Sequence, residues 1–188
     1  MKEFRKKLFS RLKDANRIVF MGIGEEKMSD DGVGPYIISK LLDLSNEKYL
    51  FINAGIDPMS RIEEIVDFEP SHLVLLDTCT LQRPPGTVTI LERDNFYEYV
   101  PISSHTIPIH VVIDLILEKL PELSIFMIGF VPKSLEGFDT LSLYKEKEYT
   151  LEERGQNIDL PFFNFQLTEP IRNAADKMVT IIKDLMEA

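Results

Sequence analysis

The sequence predicts an α/β domain built on a largely parallel sheet. Two observations carry that expectation: short apolar runs alternate with segments of helical periodicity from end to end, and the runs are continuous enough to be buried strands. The length of 188 residues suits one domain with a single sizeable core, and residues 1–188 are therefore read as one α/β unit.

The elements follow in order. In "MKEFRKKLFSRLKDANR", Phe4, Leu8, Phe9 and Leu12 recur at helical spacing between basic residues, which predicts a helix docked on the body. "RIVFMGI" (17–23) is the first buried strand. "PYIISKLLDL" (35–44) is a helix, with Ile37, Ile38, Leu41 and Leu42 on one face and Pro35 in its first turn. "YLFINAG" (49–55) is a second strand and "SRIEEIVDF" (60–68) a second helix of the body. "HLVLLDT" (72–78) is the most apolar strand and carries Asp77 at its carboxyl end. "GTVTILE" (86–92) follows a Pro84-Pro85-Gly86 turn and suits an antiparallel edge. "TIPIHVVIDLILEKL" (106–120) is a helix that Thr106 can cap, with Pro108 in its first turn. "LSIFMIGF" (123–130) is a further strand. "TEPIRNAADKMVTIIKDLM" (168–186) is a closing helix with Ile171, Ala175, Met178, Ile182 and Leu185 facing inward.

Residues 133–166, including "YKEKEYTLEERGQ", break this rhythm. They exceed an ordinary connection of about 2–6 residues and have little periodicity, which leaves a lid or docking arm and a solvated insertion both open.

Composition excludes several classes. A formal net charge of -10 opposes sequence-independent nucleic acid binding and anionic membrane surfaces, both of which need clustered Lys and Arg. The start has no apolar core of signal-peptide length, and no run approaches the roughly 20 residues of a membrane span, so a cytoplasmic protein is expected. A monomer is the expected state of assembly. A single cysteine, Cys79, rules out an internal disulfide framework.

In an open parallel sheet ligands bind beyond the carboxyl ends of the strands, so polar residues gathered there carry the functional reading. Asp30 and Asp31, in "MSDDGVGPY", follow the first strand, Asp77 ends the third, and His105 precedes the helix entered through Thr106. Two carboxylates and an imidazole can hold a borderline divalent cation such as zinc, nickel, iron or manganese with positions left for water or substrate. Each residue also has a plain structural role: Asp-Asp-Gly before a helix is ordinarily a cap or turn, and a loop histidine ordinarily bonds locally. One Asp could serve the helix dipole while the other faces the crevice, and a cation would relieve their mutual repulsion. "GIGEE" (22–26) falls short of a phosphate loop, because the glycine pattern is incomplete and the following acids repel phosphate. Cys79 could be a nucleophile but is more simply a small buried side chain, His110 falls inside a helix as ordinary packing or surface, and His72 opens a strand with no evident partner.

With "GIGEEKMSDDGVGPYIISKLL", "INAGIDP", "HLVLLDTC", "SSHTIPI" and "IGFVPKSLEGFDTLS" in this order, the chain resembles the [NiFe]-hydrogenase maturation proteases over residues 17–142 and again at "LTEPI". The resemblance implies a three-layer α/β/α fold, a twisted, mostly parallel sheet flanked by helices. It implies an endopeptidase that removes the C-terminal extension of a hydrogenase large-subunit precursor after nickel insertion, that precursor being the partner. Asp31, Asp77 and His105 match the family's metal-binding acid, strand-end Asp and histidine, so they would meet the precursor's nickel or another divalent ion. Asp30 would shape the site electrostatically, and Gly32, Gly34 and Gly55 would let backbone approach the precursor. The chain departs from the family where Glu25 replaces a common Asn, Ser29 a Gly, and Met59-Ser60 a Glu-Asn pair. Two other readings stand beside it: a receiver-like phosphoacceptor using Asp30, Asp31, Asp77 and Lys133, and a non-catalytic protein that checks nickel loading without cutting.

Overall fold

The computed structural model describes residues 1–99, 108–135 and 166–188. A sheet of five strands forms its middle layer: β1 (Ile18–Ile23), β2 (Tyr49–Gly55), β3 (His72–Thr78), β4 (Val88–Glu92) and β5 (Ser124–Phe130), in the order β2-β1-β3-β5-β4. β1, β2, β3 and β5 run parallel, while β4 pairs antiparallel with β5 at the edge, Val88 opposite Phe130 and Glu92 opposite Phe126. The central strands β1 and β3 are apolar on both faces because both faces are covered, and only His72 in them is partly open.

Helices α1 (Lys2–Arg11), α2 (Val33–Ser39) and a closing helix cover one face, and α3 (Ile62–Phe68), the short α4 (Phe96–Tyr99) and α5 (Ile109–Lys119) cover the other. The closing helix is α6 (Glu169–Met186), and it buries Ile171, Ala175, Met178, Ile182 and Leu185 as its periodicity requires. Each such large aliphatic side chain contributes about 1.5–3 kcal/mol when withdrawn from water. The basic leader docks as α1 through Leu8 and Leu12, and Arg5 pairs with Asp184 of α6 at 3.1 Å. On the same side Phe20 of β1 stacks on Phe51 of β2 with centroids 5.5 Å apart. Among the described residues no helix is long and apolar enough to cross a membrane.

Three local expectations change. The helix expected over 35–44 ends at Ser39, whose hydroxyl donates to the Tyr36 carbonyl at 2.7 Å, and the chain then tightens into a 3-10 turn at Leu42–Leu44. The same helix begins earlier than Pro35, because a 3-10 turn over Ser29–Gly32 runs directly into Val33. Pro108 stands at the capping position of α5 with extended ψ instead of inside its first turn, and Thr106 lies outside the described residues. The turn Arg93–Asn95 and α4 had no counterpart in the sequence reading, yet Phe96 is buried in the core.

The crossing of α2 over the sheet is unusually close. A Cβ on Gly34 would stand 2.2 Å from the Leu76 carbonyl oxygen and 2.6 Å from the Ile23 nitrogen, so the glycine sets how near the start of α2 can sit to β1 and β3. Gly34→Ala forces backbone against backbone, and a loss of at least about 3 kcal/mol in urea unfolding is expected.

Candidate functional site

The strand order reverses between β1 and β3: β1 connects outward to β2 on one side, and β3 continues the sheet on the other. The crevice beyond the carboxyl ends at such a reversal is where open α/β sheets hold ligands. Asp31 enters it from the turn after β1, and Asp77 and Thr78 from the end of β3.

Asp31 is 3% exposed. Its Oδ2 accepts the Glu25 backbone N–H at 2.7 Å, while its Oδ1 lies 3.5 Å from the Thr78 hydroxyl. The loop that supplies this donor is kept tight by Gly24, whose φ of +126° and 1.9 Å approach between a built Cβ and the Asp31 carbonyl oxygen admit no side chain. Because the Glu25 contact is made by backbone, replacing a common Asn by Glu there leaves it available. Asp77 is 1% exposed and its Oδ1 accepts the Thr78 N–H at 2.6 Å, with the Thr78 hydroxyl 3.4 Å away. Thr78 thus stands between the two carboxylates, a role that nothing but its place after Asp77 announces. Asp31 and Asp77 both approach the Thr78 hydroxyl, at 3.5 Å and 3.4 Å. His105 lies outside the described residues, and among those described no cluster of three or more potential metal ligands occurs.

Asp30 has a different set of partners. It is fully buried, and its carboxylate accepts four hydrogen bonds: from the backbone N–H groups of Lys133 (2.8 Å), Ser134 (3.0 Å) and Thr168 (2.7 Å), and from the Thr168 hydroxyl (2.9 Å). Its own N–H donates to the Ser134 carbonyl, and the neighbouring Ser29 hydroxyl donates to the Gln166 carbonyl at 3.3 Å. The two segments that flank residues 136–165 are therefore fastened beside Asp31. Ser29 takes a φ of 51°, a left-handed conformation that favours glycine. This clasp escaped the sequence reading, although "IGFVPKS" and "LTEPI" contain the donors. Lys133 contributes its backbone N–H to the clasp. Of the expected segment 133–166, residues 136–165 lie outside the described residues.

The glycines divide. Gly34 is consumed by internal packing, and a Cβ on Gly32 would stand 3.0 Å from the Glu26 Cα. Gly55, at the end of β2, has open space around it. A cleft of about 170 Å³ beside Gly32 is lined by Glu26, Tyr36, Ser39 and Leu167. The Tyr36 hydroxyl donates to Asp176 at 2.8 Å, a bond that, with burial, holds the phenol above its ordinary pKa. His72 lies near the opposite end of β3, with its Nδ1 3.0 Å from the Ser71 hydroxyl; burial and then Arg11 hold its imidazole below the ordinary value. Cys79 is fully buried against Gly129, and burial, followed by the Asp77 charge, pushes its thiol up to about 12. A protonated, inaccessible thiol is no nucleophile.

A family model described as hydrogenase maturation protease matches residues 35–146, a stretch that includes Asp77 and His105 and starts just after Asp31. The chain belongs to the hydrogenase maturation protease family. A Methanocaldococcus jannaschii protein carrying the same family name is 30% identical over 137 residues, 69% of this chain and 80% of its own. The hydrogenase 3 maturation protease of Escherichia coli is 23% identical over 158 residues, 84% and 83% of the two chains. The fold is that of the [NiFe] hydrogenase maturation protease HycI from Thermococcus kodakarensis, with a TM-score of 0.73 at 22% identity over 97% of this chain and 99% of that one. Membership in the family, together with an antiparallel edge strand, leaves the phosphoacceptor reading without support.

Two outcomes follow for this family member. Asp30→Asn keeps the shape but presents an amide N–H₂ to groups that are themselves donors, and a loss of about 3 kcal/mol is expected in urea unfolding. The folded state holds the Cys79 proton more tightly than the unfolded chain, so stability is whole below the ordinary thiol value of 9.0 and erodes as pH rises from there towards about 12. Urea midpoints followed across that range should fall less steeply for Cys79→Ala than for the parent.

Proposed function

We propose that this protein is the endopeptidase that removes the C-terminal extension of a [NiFe]-hydrogenase large-subunit precursor once nickel is loaded. The observation that carries the reading is the convergence of two buried carboxylates, Asp31 and Asp77, on one hydroxyl at the reversal point of the sheet. Family membership supports the reaction class, and the name of the Escherichia coli relative supports the choice of hydrogenase as target.

The donor chemistry fits a borderline divalent ion: two oxygen ligands, joined through the resemblance by the His105 imidazole. Nickel is part of the substrate in this reading, and another divalent metal at the same residues would supply the same Lewis acidity, polarising a scissile carbonyl or lowering the pKa of a water. The chain's own residues do the rest. The Glu25 N–H and the Thr78 N–H each hold one oxygen of a carboxylate, which orients both acids before substrate arrives. Burial of both carboxylates keeps the local dielectric low, which strengthens their attraction for a cation brought in by the precursor. Gly55, with open space at the crevice side of β2, leaves room for an extended segment of the precursor's tail.

Intact mass spectrometry of a precursor incubated with the protein tests the proposal. Nickel-loaded precursor should lose one C-terminal peptide and nickel-free precursor should lose none. Asp31→Asn, Asp77→Asn and His105→Ala should each abolish the loss while retaining the parent's circular dichroism spectrum. Tight binding of loaded precursor without any mass change would establish a checkpoint protein instead, and unaltered cleavage by all three variants would remove these residues from the reaction.

A further inference from the structure

A concavity of about 910 Å³ lies away from the carboxylates, between α1 and the edge strand β4. β4 is last in the sheet order and, among the described residues, pairs only with β5. The Val131 N–H donates to the Thr87 carbonyl at 2.9 Å. Antiparallel pairing alternates, so the backbone groups of Thr89 and Leu91 then turn towards β5, and those of Val88, Ile90 and Glu92 turn outward. Exposed edges are usually blunted by a lysine, a proline or a bulge, and β4 has none of these in "VTILE". What stands beside it is α1, far enough off to leave a groove.

The walls of that groove differ in chemistry. Phe4, Val88 and Ile90 give it an apolar floor, all three packing partly buried against the core. Arg11 closes one end, its guanidinium bidentate to the Glu92 carboxylate. Lys6 and Lys7 line the α1 side and are exposed. Lys7 reaches Glu3 at 3.6 Å, a solvent-exposed pair, and Lys6 makes no ion pair among the described residues. On a chain of net charge -10, residues 2–13 hold six basic side chains and one acid. The groove's own lining sets Lys6, Lys7 and Arg11 against Glu3 and Glu92, a small positive excess on an acidic molecule that selects against a second copy, whose own edge would bring another basic α1 with it.

We infer that the groove between α1 and β4 is a docking site for an extended, acidic segment of a partner protein, added to the sheet as a sixth strand. Main-chain hydrogen bonds from Val88, Ile90 and Glu92 would hold it. Apolar side chains at alternate positions would settle on Phe4, Val88 and Ile90, and its carboxylates would meet Lys6 and Lys7. The site is independent of the cleavage chemistry, and its test needs no precursor.

A fluorescein-labelled peptide Asp-Val-Glu-Val-Glu-Ile-Asp is the probe, with a Lys-substituted counterpart as control. Titration into the full-length protein should saturate for the acidic peptide only, and hydrogen exchange at Val88, Ile90 and Glu92 should slow on binding. The double variant Lys6→Glu, Lys7→Glu should weaken binding at least about tenfold, a loss that added salt reproduces in the parent. Ile90→Pro removes an outward N–H at a position where an edge strand tolerates proline, and it should weaken binding comparably while the melting curve stays cooperative. The inference is overturned if the acidic peptide fails to bind, if the basic peptide binds equally, or if both variants bind as the parent does. It is equally overturned if sedimentation shows a dimer that Ile90→Pro dissolves, since a second copy would then own the edge.

Discussion

Four hydrogen bonds to one carboxylate organise the functional end of the molecule. Asp30 is buried, and a buried charge is tolerable only when its lone pairs are filled. Three backbone N–H groups and a hydroxyl fill them, and they come from segments more than a hundred residues away in sequence. The dependence runs both ways: without the carboxylate, the start of α6 and the segment after β5 would lose the acceptor that their backbone N–H groups share. Asp31 inherits its position from this arrangement, because the turn that carries it is held by Asp30 on one side and by the tight Gly24 loop on the other. A single short run thus joins three parts of the fold before any ligand is considered.

The two aspartates answer to different rules. Asp30 acts on the protein, as an acceptor that ties chain segments together. Asp31 keeps one oxygen on a backbone donor and turns the other towards Thr78 and Asp77. Repulsion between neighbouring acids is reduced on the Asp30 side by local donors, so the less fully bonded carboxylates are those where β1 and β3 end. This explains why adjacent carboxylates occupy a turn for which one capping side chain would suffice.

Much of this was open to reading from the residues. The strands 49–55 and 72–78 are legible to the residue, because continuous apolar runs are bounded by turn formers and demand burial on both faces. The closing helix is equally plain from its apolar stripe. The placement of Asp31 and Asp77 followed from the general rule about strand ends in parallel sheets. What stayed hidden has separate physical reasons. The clasp on Asp30 uses backbone N–H groups, which every residue but proline has, so no side-chain pattern announces it. The stop at Ser39 depends on a hydroxyl folding back on its own turn, which competes with a helical periodicity that continues through Leu42. The segment from Arg93 to Tyr99 is too short for periodicity to register, and its burial of Phe96 depends on tertiary contact.

Cys79 has a consequence for metal exchange. Thiolate is the softest ligand this chain could offer, and a thiolate near the crevice would compete for nickel bound elsewhere. Here the sulfur is sealed against Gly129 and keeps its proton up to about 12, leaving oxygen donors from Asp31 and Asp77 at the crevice. Oxygen ligands hold nickel more loosely and release it more readily than sulfur does. If nickel comes to these carboxylates as proposed, the crevice offers no thiolate by which to keep it.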